Sequence, residues 1–397
     1  MKKVRIGIVG IGCMGSCHAM QIYEGKVENL ILEAVCDINQ ERIMWAREYF
    51  SNKVAVYLQV EDMLSSHKID AVLIATPHVL HPQIAITAMK YGLHVLTEKP
   101  AGIDTYHVNK LNEEAKRRNL IFGIMFNQRM NPLYQRLRNV IISGELGEIK
   151  RFIWIINNWY RTQEYYNSGK WRGTWQQEGG GVLMNQCPHN LDLWQWMIGM
   201  PNRVRAFCSE GKYHNISVED DAVIYAEYKS GMSACLITST GEYPGTNRIE
   251  VSGTKGKGIL ENGTLKLYLM DEDERELCYG SKDKMPQPDI HVKEWVPDQK
   301  DTGHLGILQN FTNAICNSEP LVAPGTEGIK ELMICNAAYL SQWQNRWVEL
   351  PLDDEIYLQE LEKKQKMEIE GHTKDVYAGE SGGEKIFGYA DRWRVRW

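Results

Sequence analysis

The sequence contains no run of about 18 consecutive apolar residues, the length a membrane-crossing helix needs, so no membrane partner is expected. It has no CxxC. Its nine cysteines are dispersed at 13, 17, 36, 187, 208, 235, 278, 316 and 335. Metal-ligand spacing is missing, so no metal site is expected. An odd, scattered set in a large chain reads as reduced thiols in a cytoplasm. No dense basic block interrupts a chain of net charge −6, which disfavours a nucleic-acid partner. The opening Met1-Lys2-Lys3 has the outline of a signal peptide. However, Gly7, Gly10, Gly12 and Gly15 break the apolar run, and no A-x-A-like cleavage site follows. No internal repeat is visible. What the chain does have is aromatic residues, 12 Trp and 19 Tyr in 397 positions, and enough apolar material (43%) for two sizeable cores.

The first 125 residues alternate short apolar runs with helical stretches. The runs are Val4–Val9, Leu30–Cys36, Val54–Tyr57, Ala71–Ile74, His94–Thr97 and Leu120–Ile124. The helices are expected over Gln40–Phe50 with Asn39 as cap, Pro82–Tyr91 and Ile103–Arg118. This alternation predicts βαβ units around a parallel sheet covered on both faces. From Gly147 strand-like segments dominate, with helices expected at Asn131–Ser143, Leu305–Asn317 and Glu327–Trp347. An α+β second domain follows. Residues 271–303 read as a long polar loop. The division is thus 1–125, 126–351 and a tail of 352–397. The tail starts with a charged helical stretch, Glu355–Ile369, and ends with Phe387, Tyr389, Trp393 and Trp397. It is either a disordered tail or an arm that docks its aromatics on its own or a neighbouring subunit.

Gly10-Ile11-Gly12-Cys13-Met14-Gly15 is a GxGxxG that follows the first strand and opens a helix. The first glycine allows the tight turn, the second the approach of a pyrophosphate, and the third close strand–helix packing. The helix N-terminus favours the negative charge. Asp37 ends the second strand, 22 residues beyond Gly15, where a carboxylate binds ribose hydroxyls and repels a 2′-phosphate. NAD is therefore expected as the cofactor. Thr76, Pro77, His78 and His81 follow the fourth strand, and Glu98-Lys99-Pro100 follows the fifth, both at the edge that faces the ligand crevice. His81 is either a cofactor-side residue or the cap of the next helix. Lys99 can reach the nicotinamide end.

In this order the motifs resemble the Gfo/Idh/MocA family of sugar and polyol oxidoreductases. The resemblance continues through Asn127-Gln128-Arg129-Met130-Asn131-Pro132, Trp171-Arg172, Glu178-Gly179-Gly180-Gly181-Val182-Leu183, Asn185 and His189. It covers residues 3–351. It implies a Rossmann domain and a second α/β domain with a large open, mostly antiparallel sheet that commonly forms an oligomer interface. It also implies a catalytic Lys99, a cis Lys99–Pro100 peptide, and a substrate segment containing Asn127, Arg129, Tyr160, Trp171, Arg172, Trp175, Asn185 and His189.

One departure stands out. The family often has Asp four residues before the site histidine, and here Asn185 takes that position. An amide cannot accept a proton as a carboxylate does. The base role then falls on His189, whose ring suits it with a pKa near neutrality. Lys99 would stabilise the developing alkoxide. Asn185 is alternatively the cap of the following helix, and Asp192 either orients His189 or pairs elsewhere. Tryptophans 154, 159, 171, 175, 194 and 196 cluster around this segment. Trp171, Trp175, Tyr160, Tyr165 and Tyr166 are a candidate platform for a sugar ring, or else core. The resemblance points to oxidation of a secondary ring hydroxyl, C3 of a glucoside foremost. The alternatives are an inositol or polyol dehydrogenase, an NAD-dependent glycosidase with a transient 3-keto intermediate, and a nucleotide-binding regulator.

Overall fold

The computed structural model describes residues 3–372. Six short apolar runs form the parallel strands β1 (Val4–Val9), β2 (Leu30–Cys36), β3 (Ala55–Tyr57), β4 (Ala71–Ile74), β5 (His94–Thr97) and β6 (Phe122–Ile124). They lie in the order β3-β2-β1-β4-β5-β6. All four residues of β4 are buried, as a central strand covered on both faces requires. The cover comes from α1 (Cys13–Tyr23), α2 (Gln40–Tyr49), α3 (Val60–Leu64), α4 (His81–Lys90) and α5 (Thr105–Arg117). Asn39 caps α2 as expected, accepting from the Glu41 and Arg42 amides. The chain runs outward in both directions from β1 and β4, so a crevice opens at their carboxyl ends.

The second part begins with α6 (Pro132–Ile142), with Pro132 in its first turn. Its sheet consists of β7 (Ile149–Ile156), β8 (Arg203–Glu210), β9 (Glu219–Glu227), β10 (Ser233–Ser239), β11 (Asn247–Gly253), β12 (Gly256–Glu261), β13 (Thr264–Met270), β14 (Ile290–Trp295) and β15 (Val348–Glu349). The order is β14-β13-β12-β11-β7-β10-β9-β8-β15, and every pairing except β7 with β10 is antiparallel. Alternate residues such as Val204, Ala206, Ile224 and Leu236 are buried beneath helices. The other face carries Phe207 and Tyr225, exposed by 59% and 40%. The remaining helices are α7 (Gln163–Asn167), α8 (Pro188–Ile198), α9 (Glu274–Gly280), α10 (Gly303–Asn317), α11 (Gly328–Gln344) and α12 (Asp354–His372). None of the described helices is long and apolar enough to cross a membrane.

One expectation changes and one open alternative is decided for the described residues. Residues 271–303 are not one loop: they hold α9, capped by Asp273, and the edge strand β14. β14 is exposed along most of its length, so it lacks the buried alternation that marks a strand in sequence. The charged stretch after 352 does form a helix, α12, and it docks on its own subunit. Tyr357 and Leu361 are buried, and Tyr357 stacks on Trp343 at 5.7 Å. Glu368 accepts from the amides of Trp175 and Gln176 at 3.0 and 3.2 Å. Phe387, Tyr389, Trp393 and Trp397 lie outside the described residues.

Candidate active site

The glycine-rich turn joins β1 to α1. Gly10 has φ +84°, and a Cβ there would meet the Ala75 carbonyl oxygen at 2.6 Å. A Cβ on Gly15 would fall 1.8 Å from the Gly10 oxygen. These two glycines are required by the protein itself. Gly12 is different: its Cβ would meet only the Arg42 guanidinium, at 3.3 Å. That side of the loop meets no backbone, and Gly12 caps α1 with no side-chain hydrogen bond, so the helix N-terminus offers its first-turn amides to an anion. The residues fit a pyrophosphate. Asp37 sits at the end of β2, with its oxygens accepting from the Ile11 amide at 2.9 Å and the Asn39 amide at 2.8 Å. Arg42 also donates to Oδ2, at 3.4 Å. These bonds fix the carboxylate and leave Oδ1 a lone pair for a ribose hydroxyl.

The loops after β4 and β5 are tied together. The Thr76 hydroxyl is buried without a partner among the described residues. His81 lies 2.8 Å from the Thr76 carbonyl oxygen and 2.8 Å from that of Pro100. Its ring therefore braces the two loops against each other. The Lys99–Pro100 peptide is cis, as the resemblance implied. His78, after Pro77, reaches across to the second part, with Nδ1 3.0 Å from the Glu178 carbonyl oxygen and the ring edge-on to Trp171. Burial pushes the His78 pKa well below its ordinary value.

Glu98 is buried at the end of β5, and its Oε1 lies 2.7 Å from His18 Nε2 of α1. Burial favours its neutral form, but the His18 hydrogen bond and charge, with His304 and Lys99, outweigh it and hold the carboxyl at about 2. His304 stacks obliquely on His18 at 5.4 Å. Burial and the neighbouring His18 lower the His304 pKa to about 4. Nothing local in the sequence marked His18 or His304. The first lies one helical turn past the glycine loop, and the second arrives from more than 200 residues away.

Lys99 Nζ donates to the Asn185 carbonyl oxygen at 2.8 Å, joining the two parts of the molecule. Burial lowers its pKa against the pull of Glu98, Glu331 and Glu178. His189 follows one turn later on α8. The expected near-neutral histidine does not result: burial, then the charges of Lys99 and His304, push it well below 6.5. Its Nδ1 is buried and unpartnered among the described residues, so Nε2 is the nitrogen left to meet a ligand.

Asn185 is not a helix cap. It lies in the π-turn Val182–Gln186, and its Nδ2 donates to Glu178 Oε1 and to Tyr165 Oη. That turn is suspended from Glu219, which accepts from the Gly181 and Leu183 amides at 2.8 Å each. Arg172 donates to Tyr165 Oη at 2.7 Å and packs over the Tyr165 and Trp171 rings. Tyr160 is exposed and faces Tyr243. Asn127 is buried in the turn before α6, its Oδ1 unpartnered among the described residues.

Two expected substrate residues are engaged elsewhere. Arg129, 1% exposed, is clamped by Asp192 through paired bonds of 2.8 and 2.6 Å, by Glu327 at 2.6 Å and by the Val322 carbonyl oxygen. Asp192 thus orients Arg129 rather than His189. Trp175, 2% exposed, donates to the Ser217 carbonyl oxygen and packs on Tyr339 and Trp343. With Trp154, Trp159 and Trp194 also buried, the Trp171–Trp175 platform dissolves into core. Trp171, against His78, and Tyr165, against Asn185, remain near the cleft.

The description "Oxidoreductase family, NAD-binding Rossmann fold" matches residues 4–126, and "GFO/IDH/MocA C-terminal domain" matches residues 134–258. Myo-inositol 2-dehydrogenase of Thermotoga maritima is 23% identical over 354 residues, 87% of this chain and 98% of that protein. Levoglucosan dehydrogenase of Pseudarthrobacter phenanthrenivorans is 24% identical over 66% of this chain and 74% of that protein. The WlbA dehydrogenase of Bordetella pertussis, solved with NADH and UDP-GlcNAcA, shares 25% identity at a TM-score of 0.74 and covers 89% of this chain and 100% of that one. With both sheets matched and the crevice at the β1/β4 switch, the chain belongs to the Gfo/Idh/MocA family of NAD-binding oxidoreductases.

Proposed function

We propose that this enzyme oxidises a secondary ring hydroxyl of a sugar or glycoside, C3 of a glucoside in particular. The observation that carries the reading is the convergence of Lys99 and a neutral His189 beside Asn185, at the strand ends next to the glycine loop. NAD, held by the Gly10–Gly15 turn and Asp37, supplies the hydride acceptor. His189 Nε2 removes the hydroxyl proton. Burial keeps the ring unprotonated over the neutral range, which leaves the nitrogen free to accept but makes it a weak base, so the transfer leans on Lys99 lowering the hydroxyl's own pKa. Lys99 hydrogen-bonds the same oxygen and stabilises its growing negative charge in a site with little water. Asn185 meets a neighbouring ring hydroxyl, and Trp171 and Tyr165 flank the ring.

The Thermotoga maritima relative, matched over nearly its full length, favours inositol oxidation as the second reading. One assay separates the two. Purified enzyme with NAD is given D-glucose, an aryl β-glucoside and myo-inositol, and the products are identified by NMR. A 3-keto sugar supports the proposal, and turnover of inositol alone overturns it. We also infer that a second copy covers the open sheet face around Phe207 and Tyr225. Light scattering of Phe207→Glu would then show a smaller particle than the wild type.

A further inference from the structure

Glu178 is a buried carboxyl of the cleft that the mechanism above leaves unused, and it is hydrogen-bonded to the Asn185 side chain. It is 1% exposed and lies between the two parts of the molecule. Its Oε2 accepts from the Gly173 amide, and its Oε1 accepts from Asn185 Nδ2. The same Nδ2 donates at 3.2 Å to Tyr165 Oη. Both amide hydrogens of Asn185 are thereby placed. No protein group among the described residues is seen donating to Asn185 Oδ1. That oxygen is left for an outside donor, and the Lys99 ammonium sits on the carbonyl of the same residue.

We propose that Glu178 is a positioning residue that orients the Asn185 amide, so that the pair supplies the hydroxyl acceptor this segment lost when the usual aspartate became asparagine. The inference rests on the sugar-oxidation reading. The chemistry is simple. An ionised carboxylate only accepts, so it holds the NH2 of Asn185 toward itself and turns Oδ1 toward the substrate hydroxyl. A protonated Glu178 donates instead. It then prefers Oδ1 as its partner, and the amide turns its NH2 toward the cleft. Substrate binding follows the charge on Glu178.

The surroundings set where that charge changes. Burial favours the protonated form. The Arg172 charge, the Gly173 amide, the Asn185 amide and Lys99 oppose it, and the balance leaves the carboxyl at about 7. Besides Lys99, the titratable groups around it are His78, whose Nδ1 donates to the Glu178 carbonyl oxygen and whose burial keeps it neutral over this range, and Tyr166, which burial keeps protonated. Glu219, which suspends the same turn through the Gly181 and Leu183 amides, is pushed up by burial to about 8. His189 is likewise neutral, so it adds no step between pH 6 and 8.

The first test needs no substrate. Infrared titration of wild type minus Glu178→Gln should show a carboxyl that ionises between pH 6 and 8. A difference spectrum without that band overturns the proposal. The second test uses whichever of glucose, aryl glucoside or inositol is turned over. The wild-type KM should fall about tenfold from pH 6 to pH 8, the change expected when binding tracks the ionised fraction of one group. Glu178→Gln should lose that dependence while NADH binding, read by fluorescence, is retained. Asn185→Ala should lose it too, which gives the same answer if Glu178→Gln does not fold. A pH step centred near 7 that persists in either variant overturns the proposal; a residual step near 8 belongs to Glu219 and is removed by Glu219→Gln. The third test is a swap. Glu178→Gln with Asn185→Asp should recover most of the kcat/KM that Glu178→Gln loses, and no recovery overturns the proposal. If no probe is turned over by the wild type, the oxidation reading fails, while the infrared test still decides Glu178.

Discussion

The two sides of the cleft bury carboxyls with opposite results. On the strand side, Glu98 is held at about 2. On the substrate side, Glu178 rises to about 7 and Glu219 to about 8. All three are buried, so desolvation alone does not separate them. Glu98 is in direct contact with a side chain that can carry positive charge, His18, with His304 and Lys99 behind it. Glu178 and Glu219 are held mainly by neutral donors, the amides of Gly173, Gly181 and Leu183, the Asn185 carboxamide and the Tyr339 hydroxyl. Neutral donors satisfy a buried carboxylate without fully offsetting the cost of its charge. The strand side is an ionic scaffold. Around Glu178 and Glu219 the direct donors are neutral, and with the Arg172 charge only nearby these carboxyls can change charge near pH 7.

The largest expected effect tests whether chemistry needs both sides. Lys99→Ala, on the strand side, and His189→Ala, on the substrate side, should each lower kcat by about a thousandfold. NADH binding by fluorescence should survive in both. If one variant keeps most of its activity, the division of roles between the sides is wrong.

The next effect is on stability, and its sign follows from the same contrast. Glu178 and Glu219 hold protons in the folded state at pH values where the unfolded chain, at about 4.5, has released them. Their contribution is present below about 4.5 and is lost as pH rises toward 8. Glu98 behaves in the opposite sense. Its contribution is present above about 4.5 and is lost as pH falls toward 2. The buried His78, His189 and His304, all lowered below 6.5, offset this between pH 4.5 and 6.5 and are neutral in both states above it, so Tm should decline by several degrees from pH 6.5 to 8.5, as read by calorimetry. Glu178→Gln should flatten part of that decline. A Tm that climbs steadily from pH 6.5 to 8.5 would contradict the assignment of these carboxyls.

The same division explains what was legible in the sequence. Gly10, Gly15, Asp37 and the β1–β6 alternation answer to local backbone rules, so they read directly. Lys99 and His189 were legible through motif order. Arg129 and Trp175 were misplaced because their partners are remote. Asp192 lies 63 residues from Arg129, Glu327 lies 198 away, and α12 closes over Trp175 from the far end of the chain. Burial of aromatics as core outweighed their use as a platform. Glu178 stands just before the Gly179–Gly181 run, and the asparagine at 185 was the available signal that a carboxyl should be sought nearby. Glu331, fully buried, unpartnered among the described residues and pushed well above the usual carboxyl range by burial, gave no local signal at all.

A smaller effect sharpens the strand side alone. Asp37→Ser removes the ribose acceptor and the charge that repels a 2′-phosphate. The KM for NAD should rise about tenfold, the loss of one charge-assisted hydrogen bond, and the KM for NADP should fall, with the substrate KM unchanged. Equal use of NAD and NADP by the wild type would contradict the role given to Asp37.

The smallest effect is the mirror image on the substrate side. Glu368 of α12 accepts from the Trp175 and Gln176 amides, and Gln365 donates to the Trp175 carbonyl oxygen at 3.0 Å. Three bonds from one helix thus fix the turn that leads to Glu178. Glu368→Ala leaves two amides to find water, at a cost of about 1 kcal/mol, because the turn lies close to solvent. The turn loosens, and with it the Glu178–Asn185 pair. The substrate KM should rise about threefold, a fraction of that energy, while the KM for NAD stays fixed. Because Glu368 touches neither substrate nor cofactor, a split between the two KM values in this direction identifies α12 as part of the substrate side. Equal changes in both would mean that α12 holds the two halves together and does not act on the substrate segment alone.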